Sequence, residues 1–144
     1  MAEFLYLLFT EGYSSARPDE PIRRELCDEA IRLARLLDAH PLGAAPETAA
    51  LLALMYLNAA RFAARMDGGS LLLLAQQDRS LWDRDLIRMG IHFLQRAARG
   101  DVLSRYHAEA GIAAEHCLAP TYAATRWDEV VRLYEMLDSV APSP

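Results

Sequence analysis

Apolar residues recur along this chain at intervals of three and four. No segment alternates apolar and polar positions for long enough to make a half-buried strand, so the pattern predicts an all-α fold. Six helices follow from it. The first covers residues 3–11 and stops at Gly12, ahead of the turn-rich SSARPDEP. The second covers 21–40: Pro21 suits a first helical position, Ile22, Leu26, Ala30, Leu33 and Leu37 form the apolar stripe, and Pro41 ends it. The third, 46–66, is apolar on almost every side through Leu51, Leu52, Leu54, Met55, Leu57 and Phe62, which predicts a central helix packed by neighbours on several faces.

The run GGSLLLLAQQDRSLWD then breaks the period. Its four leucines extend as a short buried strand or coil as a turn of helix, and an irregular, partly buried crossing is expected. A fourth helix starts near Ser80 as N-cap, with Asp83 at the third position, and ends at Gly100. The fifth covers 102–118 and is closed by Pro120. The sixth covers 127–140, entered through Thr125 as its cap.

Two of these helices say nearly the same thing. DEAIRLARLLD at 28–38 and DEVVRLYEMLD at 128–138 share Asp, Glu, Arg, Leu, Leu and Asp at matching positions, and each is followed by a proline, Pro41 or Pro142. In the later copy Val130, Tyr134, Leu137 and Pro142 fall at the spacing of the second helix of a tetratricopeptide repeat, which it resembles, with Leu137 standing where a small residue is usual.

A chain of 144 residues, 53% of them hydrophobic, is long enough for one core, and one domain over 1–144 is expected. The densest apolar stretch, AALLALMYLNAA, is shorter than the roughly 20 residues a bilayer span needs. The opening MAEFLYLLF lacks the basic flank and cleavage pattern of a signal peptide. A cytoplasmic location with no membrane contact is expected. Cys27 and Cys117 stand far apart outside any CxxC pair, which predicts two reduced, buried thiols. The net charge is −5 and every basic residue is Arg, spread singly, so the chain alone is not expected to hold nucleic acid.

Candidate chemistry is sparse. YHAEAGIAAEHC gathers His107, Glu109, Glu115, His116 and Cys117. At about 100° per residue, however, His107 and His116 point to opposite sides, and Glu109 and His116 share a face about 10.5 Å apart. One zinc ion needs ligands near 2 Å, so these are expected to be paired or solvated helix residues, with no metal and no cofactor. Gly68-Gly69 lacks the context of a phosphate loop, and no Ser sits in GxSxG. With no nucleophile beside a credible base, the chain is expected not to be an enzyme.

The residues singled out are Glu11, Arg61, Arg65, Gln77, Asp78, Arg79 and Trp82. A buried carboxylate is costly unless an Arg answers it, and the guanidinium fork suits carboxylates, so an internal ion-pair network pinning the crossing to the core is expected. The functional alternative is a groove where the same arginines read an acidic peptide or small anion.

At these residues the chain resembles a known family. FTEGY at 9–13, LCDEAIRLARLL at 26–37, LLALMYLNAARFAAR at 51–65, QDRSLWDRDLI at 77–87 and the stretch from YHAEAG to LYEML at 106–137 are similar to the long C-terminal extension of a group of bacterial ECF (extracytoplasmic function) RNA polymerase sigma factors. The QDRSxWD block is the most specific part. The resemblance implies a helical, tetratricopeptide-like piece of a longer sigma factor, without the basic domains that bind core polymerase and promoter. It implies transcription regulation through protein contacts with the factor's own sigma domains, with polymerase core or with a co-regulator, and exposed flanks suggest self-association. The alternative function is a ligand- or peptide-sensing domain with a pocket near Arg61, Arg65 and Asp78.

Overall fold

The computed structural model describes residues 2–13, 24–40, 45–67, 70–71, 74–100 and 103–140, with backbone alone at 13, 63, 65–67, 70 and 71. Ten consecutive residues, Thr48 to Leu57, are buried, and the chain folds around them. They belong to α3 (Pro46–Ala59), which packs against α1 (Ala2–Tyr13), α2 (Arg24–Ala39), α5 (Arg84–Ala97) and α6 (Arg105–Leu118). A helix apolar on all sides needs partners on all sides, and α3 finds four. Beyond α6 lies α7 (Trp127–Val140), held by a small separate cluster of Ile112, Val130 and Leu133. The domain is all-α. Extended pairing among the described residues is confined to β1 (Met66–Asp67) and β2 (Ser70–Leu71), antiparallel, just after the four-residue α4 (Phe62–Arg65).

Side-chain size sets the spacing around α3. A Cβ added to Gly90 would lie 2.6 Å from Leu57 Cγ, so α5 approaches α3 at a distance that only glycine permits. Tyr56 and Phe93 stack at 5.7 Å nearby, and Arg35 donates to the Tyr56 hydroxyl at 3.0 Å. Arg96 clamps both oxygens of Asp38 at 3.0 and 3.3 Å, tying the end of α2 to α5.

Several predicted boundaries move, each for a local reason. α1 runs through Gly12 to Tyr13. The third helix ends at Ala59, seven residues short of 66, because the Ala60 carbonyl turns to accept the Asp83 amide at 2.8 Å. The N-cap of α5 is Asp83, whose carboxylate accepts from the amides of Asp85 and Leu86, while Ser80 lies in the preceding 3-10 turn, Arg79–Leu81. α5 stops at Ala97 before Gly100. α6 begins at Arg105 with Ser104 as cap. α7 has the expected bounds, but Thr125 does not cap it: its hydroxyl is buried with no partner among the described residues. Pro21, Pro41, Gly68, Gly69, Leu72, Leu73, Val102 and Pro142 lie outside the described residues.

The two similar helices take different environments. Both carry the same surface pair, Glu29 with Arg32 and Glu129 with Arg132. Ala34 of α2 is fully buried, whereas Tyr134, its counterpart in α7, is 55% exposed, since α2 has neighbours on two sides and α7 packs on α6. Among the described residues, no helix is long and apolar enough to cross a membrane.

Candidate functional site

The crossing between α4 and α5 closes on Trp82, which is 3% exposed. Its indole N–H donates to Gln77 Oε1 at 3.2 Å. Two guanidinium groups lie against its ring, Arg79 at 4.4 Å and Arg61 at 5.9 Å from the centroid. Arg79 Nη1 also donates to the carbonyl oxygens of His116 (2.6 Å) and Ala119 (3.1 Å), the unpaired acceptors at the C-terminal end of α6. Burial holds the Arg79 guanidinium below the usual arginine range, with Arg61 and Arg84 acting in the same direction. Arg61, Gln77, Arg79 and Trp82 are thus brought together, as the sequence suggested.

The expected carboxylates are not part of this cluster. Glu11 is exposed in the last turn of α1, and Asp78 is exposed as the cap of Arg79–Leu81. The Asp78 carboxylate accepts from the Ser80 hydroxyl at 2.6 Å and the Ser80 amide at 3.0 Å, bonds that hold its pKa below the usual carboxylate value. An aspartate two residues before a serine has a cheaper partner in its own turn than a buried arginine. The crossing is therefore pinned by arginine to backbone carbonyls and an indole face, and among the described residues no ion pair joins Glu11 or Asp78 to Arg61 or Arg79. The Arg65 side chain lies outside the described residues, so Arg61 alone of the expected trio of Arg61, Arg65 and Asp78 is seen lining a pocket.

That pocket lies between α3, α6 and α7. On α6, Glu109, Ile112, Ala113 and His116 fall at i, i+3, i+4 and i+7, one stripe of the helix. Leu54, Asn58 and Arg61 face them from the α3 side, and Tyr134 and Leu137 from α7, around a cavity of about 310 Å³. The sequence pattern marked His116 and Glu109 as ordinary helix residues and Tyr134 as a repeat position, and gave no role to Asn58 or to Tyr6, which also lines the cavity. The stripe's two polar ends around an apolar middle were the available signal.

His116 is 8% exposed, stacked on Tyr122 at 6.3 Å and edge-on to Trp127 at 5.5 Å. Burial, then Arg61 and Arg79, lower its pKa, with Glu115 opposing. At the other end, Glu109 is paired with Arg105 at 3.2 Å and accepts from the Tyr6 hydroxyl, whose pKa is pushed up to about 12, chiefly by burial.

His107 faces away from His116, toward the end of α5. Its Nδ1 accepts the Ser104 amide at 3.0 Å and lies 2.9 Å from the Ser104 hydroxyl, while Nε2 faces the Ala97 carbonyl at 3.2 Å. A serine beside a histidine resembles a nucleophile and its base, but both groups are consumed in a capping box that joins α5 to α6. Among the described residues no three His, Cys, Asp or Glu side chains gather as a metal site. Cys27 and Cys117 are buried and unbridged, and burial raises the Cys117 thiol's pKa.

The profile of a family described as "Family of unknown function (DUF6596)" matches residues 1–98. An uncharacterized protein of Rhizobium meliloti (strain 1021) is 41% identical over 145 residues, covering 100% of this chain and 34% of that protein. The chain thus spans about a third of the length of the curated relative it matches. No solved structure matches it.

Proposed function

The chain belongs to the family of unknown function DUF6596, and we propose that it works as a non-catalytic, all-α regulatory domain acting through protein contacts, of the kind that extends bacterial ECF sigma factors. The observation that carries this reading is an apolar recess between α1 and α2. Phe4 and Leu36, 61% and 58% exposed, flank Leu5, Leu33 and Leu37 around about 430 Å³. An exposed face of this kind on a helical domain is a place for another protein surface. The net charge of −5 complements the basic surfaces that sigma domains and polymerase turn toward DNA, and favours encounter with them.

On this reading the domain is one part of a longer cytoplasmic protein, its partners are the factor's own sigma domains, polymerase core or a co-regulator, and it makes no direct contact with DNA. The residue blocks that resemble the sigma-factor extension support it, as does a relative about three times as long as the chain. The test is transcription in vitro from a sigma factor carrying this domain, with and without it, together with binding of the isolated domain to the sigma domains. Phe4→Glu and Leu36→Glu are expected to weaken binding while the melting temperature holds. Unchanged transcript output on removing the domain, with no binding in trans, overturns the reading.

A further inference from the structure

The cavity between α3, α6 and α7 has two unlike ends. Glu109 and His116 are seven residues apart on α6, about 10 Å along the helix axis. The Glu109 end is already satisfied, its carboxylate held by Arg105 and the Tyr6 hydroxyl. The His116 end is not. His116 Nδ1 and Arg61 Nε are both buried and have no hydrogen-bond partner among the described residues. Arg61 commits its Nη2 to Asn58 Oδ1 at 3.1 Å and leaves Nε without an acceptor. A buried nitrogen without a partner costs about 1–3 kcal/mol, so two of them on residues that line the same cavity, Arg61 from the α3 side and His116 from α6, need an explanation.

Apolar side chains line the cavity as well, Leu54 of α3, Ile112 of α6 and Leu137 of α7 among them. The volume, about 310 Å³, is at the small end of sites that hold organic molecules between helices. Only one end has open capacity, and what it lacks is an acceptor beside a guanidinium. That favours an anion with an apolar body over a zwitterion, whose ammonium would find the Glu109 carboxylate already paired. We propose that this cavity binds a small organic carboxylate, its carboxylate accepting from Arg61 and His116 and its carbon chain lying along Ile112 and Leu137. The site stands independently of the regulatory reading, which rests on a separate recess between α1 and α2 that shares no lining residue with this cavity.

The groups that act on His116 make the occupancy readable. Arg61 from the α3 side and Arg79 from the turn after it lower its pKa, Glu115 of its own helix raises it, and Tyr122 and Trp127 cover its ring. A bound carboxylate beside the imidazole adds a negative charge and reverses part of that shift.

The experiment titrates the 144-residue chain by calorimetry with straight-chain carboxylates from hexanoate to decanoate and with 4-phenylbutyrate, each beside its neutral amide, and with inorganic phosphate. At least one carboxylate is expected to bind with Kd in the range of ~0.1–1 mM, its amide roughly tenfold more weakly. Arg61→Gln is expected to weaken the carboxylate to about the level of the amide while helical circular dichroism is retained. If that variant does not fold, the His116 ring titration followed by NMR in the unaltered chain decides the matter, since its pKa rises with the carboxylate and stays put with the amide. No heat from any carboxylate to ~10 mM overturns the proposal. So does equal affinity for the amide, phosphate binding as tightly as the best carboxylate, or a His116 titration that the carboxylate leaves unmoved.

Discussion

Arg79 reaches across the fold to His116, its Nη1 donating to the His116 carbonyl at 2.6 Å, although 36 residues separate the two in the chain. The same nitrogen serves Ala119, and the same guanidinium covers Trp82, so one side chain closes α6 and fastens the irregular crossing to the core. Arg79→Ala is expected to cost about 2 kcal/mol, as hydrogen bonds from a charged donor do, with a matching fall in urea midpoint. Arg79→Lys should recover little of it, because an ammonium lacks the planar face that stacks on the indole while one of its nitrogens donates to the carbonyls.

Gly90 and Leu57 define the closest approach of α5 to α3. Gly90→Ala places a methyl group 2.6 Å from Leu57 Cγ and is expected to destabilise by about 1–3 kcal/mol, despite alanine's better helix propensity. Leu57→Ala opens a cavity and costs about 2–5 kcal/mol. The double variant should lose less than the sum, since the new methyl fills part of the void, and denaturation of the four proteins measures that coupling.

His116 makes stability depend on pH. Its folded pKa lies below the unfolded value of about 6.5, so the unfolded chain binds the proton more readily. The stability from neutral, buried His116 is fully present above the unfolded value. It is lost as pH falls from there through the folded pKa, below which the dependence ends. In thermal melts from pH 8 downward, the advantage of the native chain over His116→Gln is expected to shrink across that window. An advantage that is constant with pH would remove His116 as the cause.

Ser104 and His107 join two helices with one imidazole. His107→Ala removes the capping box and the contact to the Ala97 carbonyl and should destabilise by about 1–2 kcal/mol. Hydrogen exchange should then quicken first at the amides of the first turn of α6, the groups the cap protects.

The helices were legible because their signal is local. A three- and four-residue spacing of apolar positions survives any tertiary arrangement, and the greasy circumference over 46–66 marked the central helix, which in the fold ends at Ala59. Arg61 on the third helix and Gln77, Arg79 and Trp82 in the aperiodic crossing were singled out from the sequence, and the fold brings these four together without the carboxylates expected to join them. Polar side chains with two prospective partners were not legible in this way. Asp78, expected in an ion-pair network, took the amide two residues on and became a cap, and Asp83, expected at the third position after a cap at Ser80, became the N-cap itself. Arg79 took backbone carbonyls that no sequence pattern announces.

DEAIRLARLLD and DEVVRLYEMLD mark the division. The sequence by itself determined that both are amphipathic helices with the same Glu-Arg surface pair, because helix geometry alone brings residues three apart together. Only the tertiary structure decided that the first is enclosed by α1 and α3 while the second lies on α6 with Tyr134 half in solvent, beside a cavity bounded by Arg61 and His116. Burial and unpaired donors depend on which helices meet, and that depends on how the whole chain packs around α3.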